Sequence, residues 1–262
     1  MICGGVYLVE TPIKHGSFGA IYKGKNIITH EPVAIKTDYN TDMNLSLIHH
    51  EATILQYLAT QSQNKITCVL NYGKLSDGSY YLVMPYYQMS LADLMADTNS
   101  KITSEQAKCY FSTMVNTLKY IHDKGVIHRD IKPANFMFNI RDRIVLIDFG
   151  LATYYLDSCK NHIKNRPMTD IIGSRRYVSI NVQSGNTPSR RDDLISVAYI
   201  LVALCWPEHI YQTNNTSSSY NWHEIKQIKN MPEPVQPLMQ YLYSLAFMER
   251  PDYEALCQEP TV

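Results

Sequence analysis

The sequence "HRDIKPANF", from His128 to Phe136, carries three polar side chains at a characteristic spacing. Asp130 is suited to act as a base that positions a hydroxyl group. Lys132 follows two residues later, where its ammonium can neutralise a transferring phosphoryl group. Asn135, five residues after Asp130, can hold a metal ion. The alternative is a charged turn capped by Pro133, but the joint spacing of the three side chains favours a catalytic loop.

A second acidic motif, "LIDFG", ends an apolar run at Asp148, thirteen residues after Asn135. An apolar strand that ends in Asp-Phe-Gly places a carboxylate at the mouth of a cleft, and Mg²⁺ prefers hard oxygen ligands of this kind. The three letters alone are weak evidence. At this distance from Asn135 they predict that Asn135 and Asp148 hold a metal ion together.

The stretch "VAIK" supplies Lys36 at the end of a predicted strand, and Glu51 follows fifteen residues later on a predicted amphipathic helix. A lysine held by a glutamate can present its ammonium to the α and β phosphates of a nucleotide. Each residue taken alone is better explained as a solvated side chain. The order of the three motifs along the chain favours the functional interpretation.

Upstream, "TPIKHGSFGAIYKG" (Thr11 to Gly24) resembles a glycine-rich phosphate loop whose first glycine is replaced by Lys14. Glycine lets a backbone approach phosphates closely and adopt unusual dihedral angles. Gly16, Ser17 and Gly19 form the predicted tip that covers the phosphates. Lys14 lies at the strand edge, where an outward side chain is tolerable, so we expect a modified but working lid.

The totals exclude several classes of protein. With 24 basic and 24 acidic residues, the chain gives no general electrostatic reason to bind nucleic acid or an anionic membrane. Six scattered cysteines without a C-x-x-C pair disfavour a zinc site or disulfide framework and favour a reducing compartment. The longest apolar run, "LISVAYILVALCW", is too short to span a bilayer and predicts a buried helix. No signal peptide is evident.

The chain changes character near residues 86–90. Before this point, short β-branched and aromatic runs predict a small sheet with one helix, and after it most segments have helical periodicity. The irregular stretch 151–175 is long enough to suggest a functional loop. We therefore expect two lobes within a single domain.

Together the motifs resemble the eukaryotic protein kinases over nearly the whole chain. Three downstream stretches, "GSRRYVSIN" (173–181), "SRRDDLISVAY" (189–199) and "FMERPDYEAL" (247–256), are similar to the casein kinase I group. That group has Ser-Ile-Asn where most kinases have Ala-Pro-Glu. The resemblance implies an α+β bilobal kinase fold, as one domain over 1–262. The β-rich N-lobe would cover about 1–86 and the helical C-lobe about 87–262.

The resemblance also implies ATP and Mg²⁺ as ligands, and it assigns further residues. Asp193 should hydrogen-bond the backbone around His128 and Arg129. The adenine pocket should comprise Ile13, Ile21, Ala34, Met84, Tyr87 and Met137. These apolar side chains could equally be plain core.

Arg176 matches a basic position that reads acidic or phosphorylated substrates in the family, and arginine suits phosphate through bidentate bonds. Its neighbour Arg175 is better explained as a solvated side chain. A second basic contact should lie near 213–230, where Lys226 and Lys229 are candidates only.

Three functions are compatible with these patterns. The leading one is an active Ser/Thr protein kinase with protein substrates, monomeric, without nucleic-acid or membrane partners, and cytoplasmic or nuclear. The second is a pseudokinase scaffold, supported by Lys14 in place of glycine. The third, a small-molecule kinase of the aminoglycoside type, is disfavoured by the position of Lys132 and by the Ser-Ile-Asn stretch.

Overall fold

The computed structural model describes residues 1–16, 19–43, 46–59, 65–97, 102–207 and 226–258. The chain forms two compact units. The first comprises Met1–Met89 together with Met137–Leu151, and the second comprises Ser90–Phe136 and Ala152–Val262. The predicted lobe ranges follow chain order, whereas the first unit also takes in the later segment that carries Asp148.

The first unit is built on an antiparallel sheet with the order β1-β2-β3-β4-β6-β5. Its strands are β1 Ile2–Cys3, β2 Tyr7–His15, β3 Gly19–Asn26, β4 Pro32–Asp38, β5 Asn71–Lys74 and β6 Tyr80–Pro85. Because β4 lies between β3 and β6, Lys36 pairs with Ile21 on one side and Leu82 on the other. A central strand therefore fixes the position of this lysine.

Helix α1, Leu47–Leu58, belongs to the same unit and begins at Ser46, whose side chain accepts a hydrogen bond from the His49 amide. Its buried face is apolar except for one carboxylate, Glu51. A charged side chain on a buried helix face needs a partner, because an unpaired buried charge is costly. The strands β8 Phe136–Phe138 and β9 Ile144–Leu146 lead to Asp148 and the 3-10 turn Phe149–Leu151.

The second unit is mainly helical. Its helices are α2 Leu91–Ala96, α3 Ser104–Asp123, α4 Ile180–Gln183, α5 Arg190–Cys205, α6 Gln236–Ser244 and α7 Tyr253–Gln258. The strands β7 Val126–Ile127 and β10 Thr153–Tyr154 pair antiparallel, and 3-10 turns span Pro133–Asn135, Ile228–Asn230 and Glu233–Val235.

Helix α5 is the core of the second unit. Every residue from Asp192 to Leu204 is buried, as the apolar run predicts from Leu194 onward, whereas Cys205 and Trp206 at the end of that run are half-buried. The two aspartates at its first turn are buried as well, where the helix dipole favours negative charge. Among the described residues, no helix combines the length and apolar character that crossing a membrane requires.

Candidate functional site

In the first unit, one lysine holds two carboxylates. Lys36 Nζ lies 2.7 Å from Glu51 Oε2 and 2.8 Å from Asp148 Oδ1. Glu51 has 0% exposure, and its other oxygen accepts a hydrogen bond of 3.1 Å from the Phe149 amide. Strand β4, helix α1 and the turn after β9 thus converge on a single ammonium group. We call Lys36, Glu51 and Asp148 the lysine cluster.

The charge of Lys36 is secured by its neighbours. Burial disfavours the ammonium, but the charges and hydrogen bonds of Glu51 and Asp148 outweigh burial and raise the pKa of Lys36. The Lys36 side chain remains 22% exposed and that of Asp148 40% exposed. Lys36 therefore stays protonated, and its side chain and that of Asp148 remain partly accessible to a ligand.

In the second unit, Asp130 is held at both carboxylate oxygens. Its Oδ1 accepts hydrogen bonds from the Ser174 amide at 3.0 Å and the Ser174 hydroxyl at 2.9 Å. Its Oδ2 accepts one from Lys132 Nζ at 2.5 Å. Asn135 Nδ2 donates to the Asp130 carbonyl at 2.9 Å, which ties the two ends of the loop together. Asp130, Lys132 and Asn135 are thus brought together as the motif predicts.

A buried carboxylate supports the backbone of this loop. Asp193, on α5, accepts hydrogen bonds from the His128 amide at 2.7 Å and the Arg129 amide at 2.9 Å, which confirms the contact implied by the resemblance. His122 Nε2 lies 3.0 Å from the same carboxylate. Burial opposes the anionic form, but the hydrogen bonds and nearby imidazoles outweigh it and lower the pKa of Asp193.

Both functional segments contain a residue with left-handed backbone. Arg129 has φ of 69° and Asp148 has φ of 64°. Such angles are uncommon outside glycine and persist only where surrounding contacts enforce them. The Asp193 bond to the Arg129 amide is one such contact, and the Lys36 bond to Asp148 is another.

The residues predicted to surround adenine lie on the first unit's strands and their extensions. Ala34 and Met84 are register partners across β4 and β6. Ile13 on β2 is 51% exposed, and Met84 is buried. The remaining three are Ile21 on β3, Tyr87 after β6 and Met137 on β8. Their contact with a nucleotide stays a prediction.

The two glycines of the predicted lid differ in their surroundings. The Gly16 amide donates to the Gly19 carbonyl at 2.8 Å and so closes the turn. A Cβ at Gly19 would lie 1.9 Å from the Thr37 carbonyl oxygen, so the sheet itself requires glycine there. A Cβ at Gly16 would meet nothing closer than 3.7 Å. Ser17 lies outside the described residues.

The basic residues that were candidates for binding substrate anions differ in how far they are exposed to solvent. Arg176 is half-buried, and Arg175 is exposed. Lys229 is exposed, whereas Lys226 is buried and donates to two backbone carbonyls. The structure therefore removes Lys226 from the candidates for a second surface anion contact.

Two residues that the sequence patterns do not single out contact the loop 128–136, one of them directly and the other through Asp193. Ser174 holds Asp130 across 44 positions of sequence, and His122 holds Asp193 across 71. For His122 a signal existed, because it is a polar residue next to the apolar stripe of α3. For Ser174 only its position after Gly173 in the quoted family stretch could have drawn attention.

The protein kinase domain family matches residues 7–262 of this chain. The chain belongs to the protein kinase family. A protein of Encephalitozoon cuniculi (strain GB-M1) described as a "Probable casein kinase I homolog" is 30% identical over 265 aligned positions, covering 95% of this chain and 82% of the relative. This kinase is thus casein kinase I-like, and the predicted α+β bilobal kinase fold is confirmed.

Protein kinases use ATP and a divalent metal, and each unit contains a side chain with the oxygen chemistry that a divalent metal prefers. Asn135 donates through its amide nitrogen, so its amide oxygen is the atom suited to a cation. In the first unit, Asp148 separately offers a partly exposed carboxylate, which is also a hard oxygen ligand. In the described part of the kinase, no group of three or more His, Cys, Asp or Glu residues could hold a metal alone. Mg²⁺ commonly relies on one or two protein ligands plus substrate phosphates.

Proposed function

We propose that this kinase is catalytically active and transfers the γ-phosphoryl group of ATP to Ser and Thr hydroxyls of proteins, in the manner of casein kinase I. The observation that carries the proposal is the arrangement of Asp130. One of its oxygens is held by Ser174 and the other by Lys132. A carboxylate fixed in this way can orient a substrate hydroxyl.

In the proposed reaction, Asp130 accepts a hydrogen bond from the substrate hydroxyl and aligns its oxygen toward the γ-phosphorus of ATP. The new bond forms between that oxygen and phosphorus as the bond from phosphorus to the ADP oxygen breaks. The hydroxyl proton moves to Asp130. The ammonium of Lys132, hydrogen-bonded to Asp130, offsets negative charge on the transferring group.

Lys36 contributes by holding the α and β phosphates of ATP, and its bond to Glu51 orients the ammonium for that task. Asn135 and Asp148 would hold Mg²⁺, which when bound neutralises charge on the β and γ phosphates. Gly16, Ser17 and Gly19 would cover the phosphates, and Ile13, Ile21, Ala34, Met84, Tyr87 and Met137 would enclose the adenine.

Phosphoryl transfer to casein tests this proposal directly, with radiolabelled ATP and the variant Asp130→Asn. We expect incorporation to fall at least about 100-fold, because the asparagine amide cannot accept the proton. The exposed Asp170→Asn serves as the matched control and should retain wild-type activity. Equal incorporation by Asp130→Asn and wild type would defeat the assignment of the base.

A nucleotide-binding assay on the same proteins distinguishes the pseudokinase alternative. We expect wild type and Asp130→Asn to bind ATP with similar dissociation constants, because the proposed partner of Asp130 is the hydroxyl group of the protein substrate and not the nucleotide. Binding by wild type without any transfer to casein or to peptides would favour a scaffold and reject the catalytic proposal.

A preference for acidic or phosphorylated acceptor sites is the finer part of the proposal. Its support is Arg176, a half-buried guanidinium at a position that is basic in the family. With paired peptides that differ only in a phosphoserine near the acceptor, Arg176→Ala should reduce the preference about tenfold. The exposed Arg175→Ala is the matched control and should reduce it less. Equal reductions in the two variants would mean that the preference depends on the overall positive charge of this segment and not on Arg176 in particular.

We also propose that the kinase acts as a monomer, without nucleic-acid or membrane partners, in the cytoplasm or nucleus. The balanced charge of the chain supports the absence of nucleic-acid and membrane partners. Light scattering after size-exclusion chromatography tests the monomeric state, and a mass twice that of the 30.1 kDa chain would contradict it.

A further inference from the structure

Lys226 is a buried lysine that faces backbone carbonyls. It is 2% exposed, and its Nζ donates to the Arg175 carbonyl at 2.8 Å and to the Val178 carbonyl at 2.5 Å. The same nitrogen lies 5.0 Å from the centre of the Tyr199 ring on α5. One ammonium therefore bridges two carbonyls three residues apart and rests on the face of an aromatic ring.

This arrangement is unusual because the charge is compensated by dipoles. In the described part of the chain, no carboxylate forms an ion pair with Lys226; two carbonyls and a ring face stabilise its ammonium. Buried charges are normally paired with opposite charges, and their burial rarely adds net stability. Burial lowers the pKa of Lys226 to about 7. Burial of this charge is therefore not in itself a source of net stability.

The two carbonyls belong to a segment whose ends are already fixed. We call residues 174–179 the acceptor segment. At one end Ser174 donates to Asp130, and at the other the Ser179 hydroxyl donates to Asp192 at 2.5 Å. Between them the Tyr177 and Val178 amides both donate to the Ser174 carbonyl. Lys226 holds the Arg175 and Val178 carbonyls of this same turn, which also carries Arg176.

We propose that Lys226 is a positioning residue that fixes the acceptor segment, so that Ser174 stays on Asp130 and Arg176 stays directed at the acceptor protein. The inference rests on the proposed kinase activity for its functional consequence. Its structural part, the restraint of residues 174–179, does not depend on that activity. Lys226 would therefore affect binding and phosphorylation of the protein substrate, whereas ATP binding would depend on the lysine cluster.

The test compares Lys226→Met, which keeps the length of the side chain but has no donor, with Lys226→Arg, which keeps donors and charge. Exposed Lys164→Met, in the same unit, is the matched control. For each full-length protein we would measure the KM and kcat for a casein-derived peptide and the dissociation constant for ATP. We would also measure amide hydrogen exchange at Tyr177 and Val178.

We expect Lys226→Met to lower kcat/KM for the peptide about tenfold or more while the ATP dissociation constant changes less than twofold. The Tyr177 and Val178 amides should exchange at least about tenfold faster, and Lys226→Arg should recover part of both losses. The thermal midpoint of Lys226→Met should change by only a few degrees, because removal of a buried charge offsets the loss of hydrogen bonds to two carbonyls.

Two results would overturn the inference. One is unchanged exchange at Tyr177 and Val178 together with unchanged peptide kcat/KM. The other is a lower thermal midpoint with parallel losses of ATP binding and activity, which would mean a general structural role. If wild type transfers no phosphoryl group but the exchange still rises in Lys226→Met, the proposed function fails and the restraint of the segment stands.

Discussion

The lysine cluster and the predicted catalytic loop, residues 128–136, hold their polar groups in different ways. In the lysine cluster, side chains from distant elements meet as ion pairs of 2.7 and 2.8 Å around a partly exposed ammonium. In the catalytic loop, the buried carboxylate of Asp193 holds backbone amides, and hydrogen bonds restrain Asp130. In the proposed function, the first arrangement presents an ammonium group to the phosphates of ATP. The second fixes the backbone beside which the substrate hydroxyl would be aligned.

This difference has a physical reason. A diffuse anion such as a polyphosphate is held by charge, and charge acts over distance without strict angles. Proton acceptance requires a heavy-atom distance within hydrogen-bond reach and correct alignment, so small displacements reduce it. We therefore expect changes in the lysine cluster to act through charge, and changes around the catalytic loop to act through geometry.

The largest effect should follow from Lys36→Met. Phosphoryl transfer should fall at least about 100-fold, because a preorganised positive charge is lost. The free energy of unfolding should fall by about 1–3 kcal/mol, because buried Glu51 loses its counter-charge. Radiolabel transfer and urea unfolding measure the two effects.

The double variant Lys36→Met/Glu51→Gln sharpens this test. The glutamine introduced on α1 still offers an oxygen to the Phe149 amide but carries no charge. The double variant should regain about 1 kcal/mol of the lost stability and no activity. A double variant less stable than Lys36→Met would show that geometry, and not charge, governs the cluster.

Next in size is Gly173→Ala, which tests the geometric side of the comparison. Gly173 has φ of +93°, and a Cβ there would lie 2.4 Å from the Arg129 carbonyl oxygen. We expect a loss of about 3 kcal/mol in the free energy of unfolding, with a fall in kcat. The alanine would be strained at this positive φ, and its Cβ would also clash with the Arg129 carbonyl oxygen.

Gly5→Ala provides the control for the dihedral angle alone. Gly5 has φ of +75°, but a Cβ there would meet nothing within 4 Å. Its loss should be about 1 kcal/mol with unchanged kcat. Equal losses in both variants, measured by urea unfolding, would mean that the Arg129 contact contributes nothing.

The same contrast explains what could be predicted from the sequence. The family motifs place Lys36, Glu51, Asp130 and Asp148 at spacings that identify the kinase fold, and the apolar run of α5 predicts its burial. The contact of Ser174 with Asp130 has no such local signal, because neither periodicity nor spacing encodes a contact across 44 positions. The burial of Lys226 was missed for the same reason, since a lysine is normally assigned to the surface.

A smaller effect concerns pH and the support of Asp193. Because a carboxylate only accepts, neutral His122 must donate from Nε2, and its Nδ1 then accepts from the Tyr253 hydroxyl at 2.8 Å. Burial lowers the pKa of His122, although Asp193 opposes that shift. The unfolded chain therefore binds more protons below about pH 6.5, and stability should fall with decreasing pH by up to about 1.4 kcal/mol per unit.

His122→Gln should remove this slope, because the amide donates but does not titrate. Urea unfolding between pH 5 and 7.5 measures it, and Tyr253→Phe, which keeps the imidazole, should retain the slope. Equal slopes in wild type and His122→Gln would show that His122 does not titrate across folding. The acid sensitivity of the catalytic loop would then have to come from Asp193, whose lowered pKa makes it lose stability only at more acidic pH.

The smallest effect should come from Lys14→Gly, which restores the missing glycine of the lid. Lys14 is exposed on β2 opposite Ile21, next to an irregularity in the pairing with β3, so the strand already accommodates a side chain there. Gly19, whose position the sheet itself restricts, is intact. We expect the ATP dissociation constant to change less than about tenfold. A larger change would mean that this edge of the lid requires close approach of the backbone, and that geometry as well as charge governs nucleotide binding in the first unit.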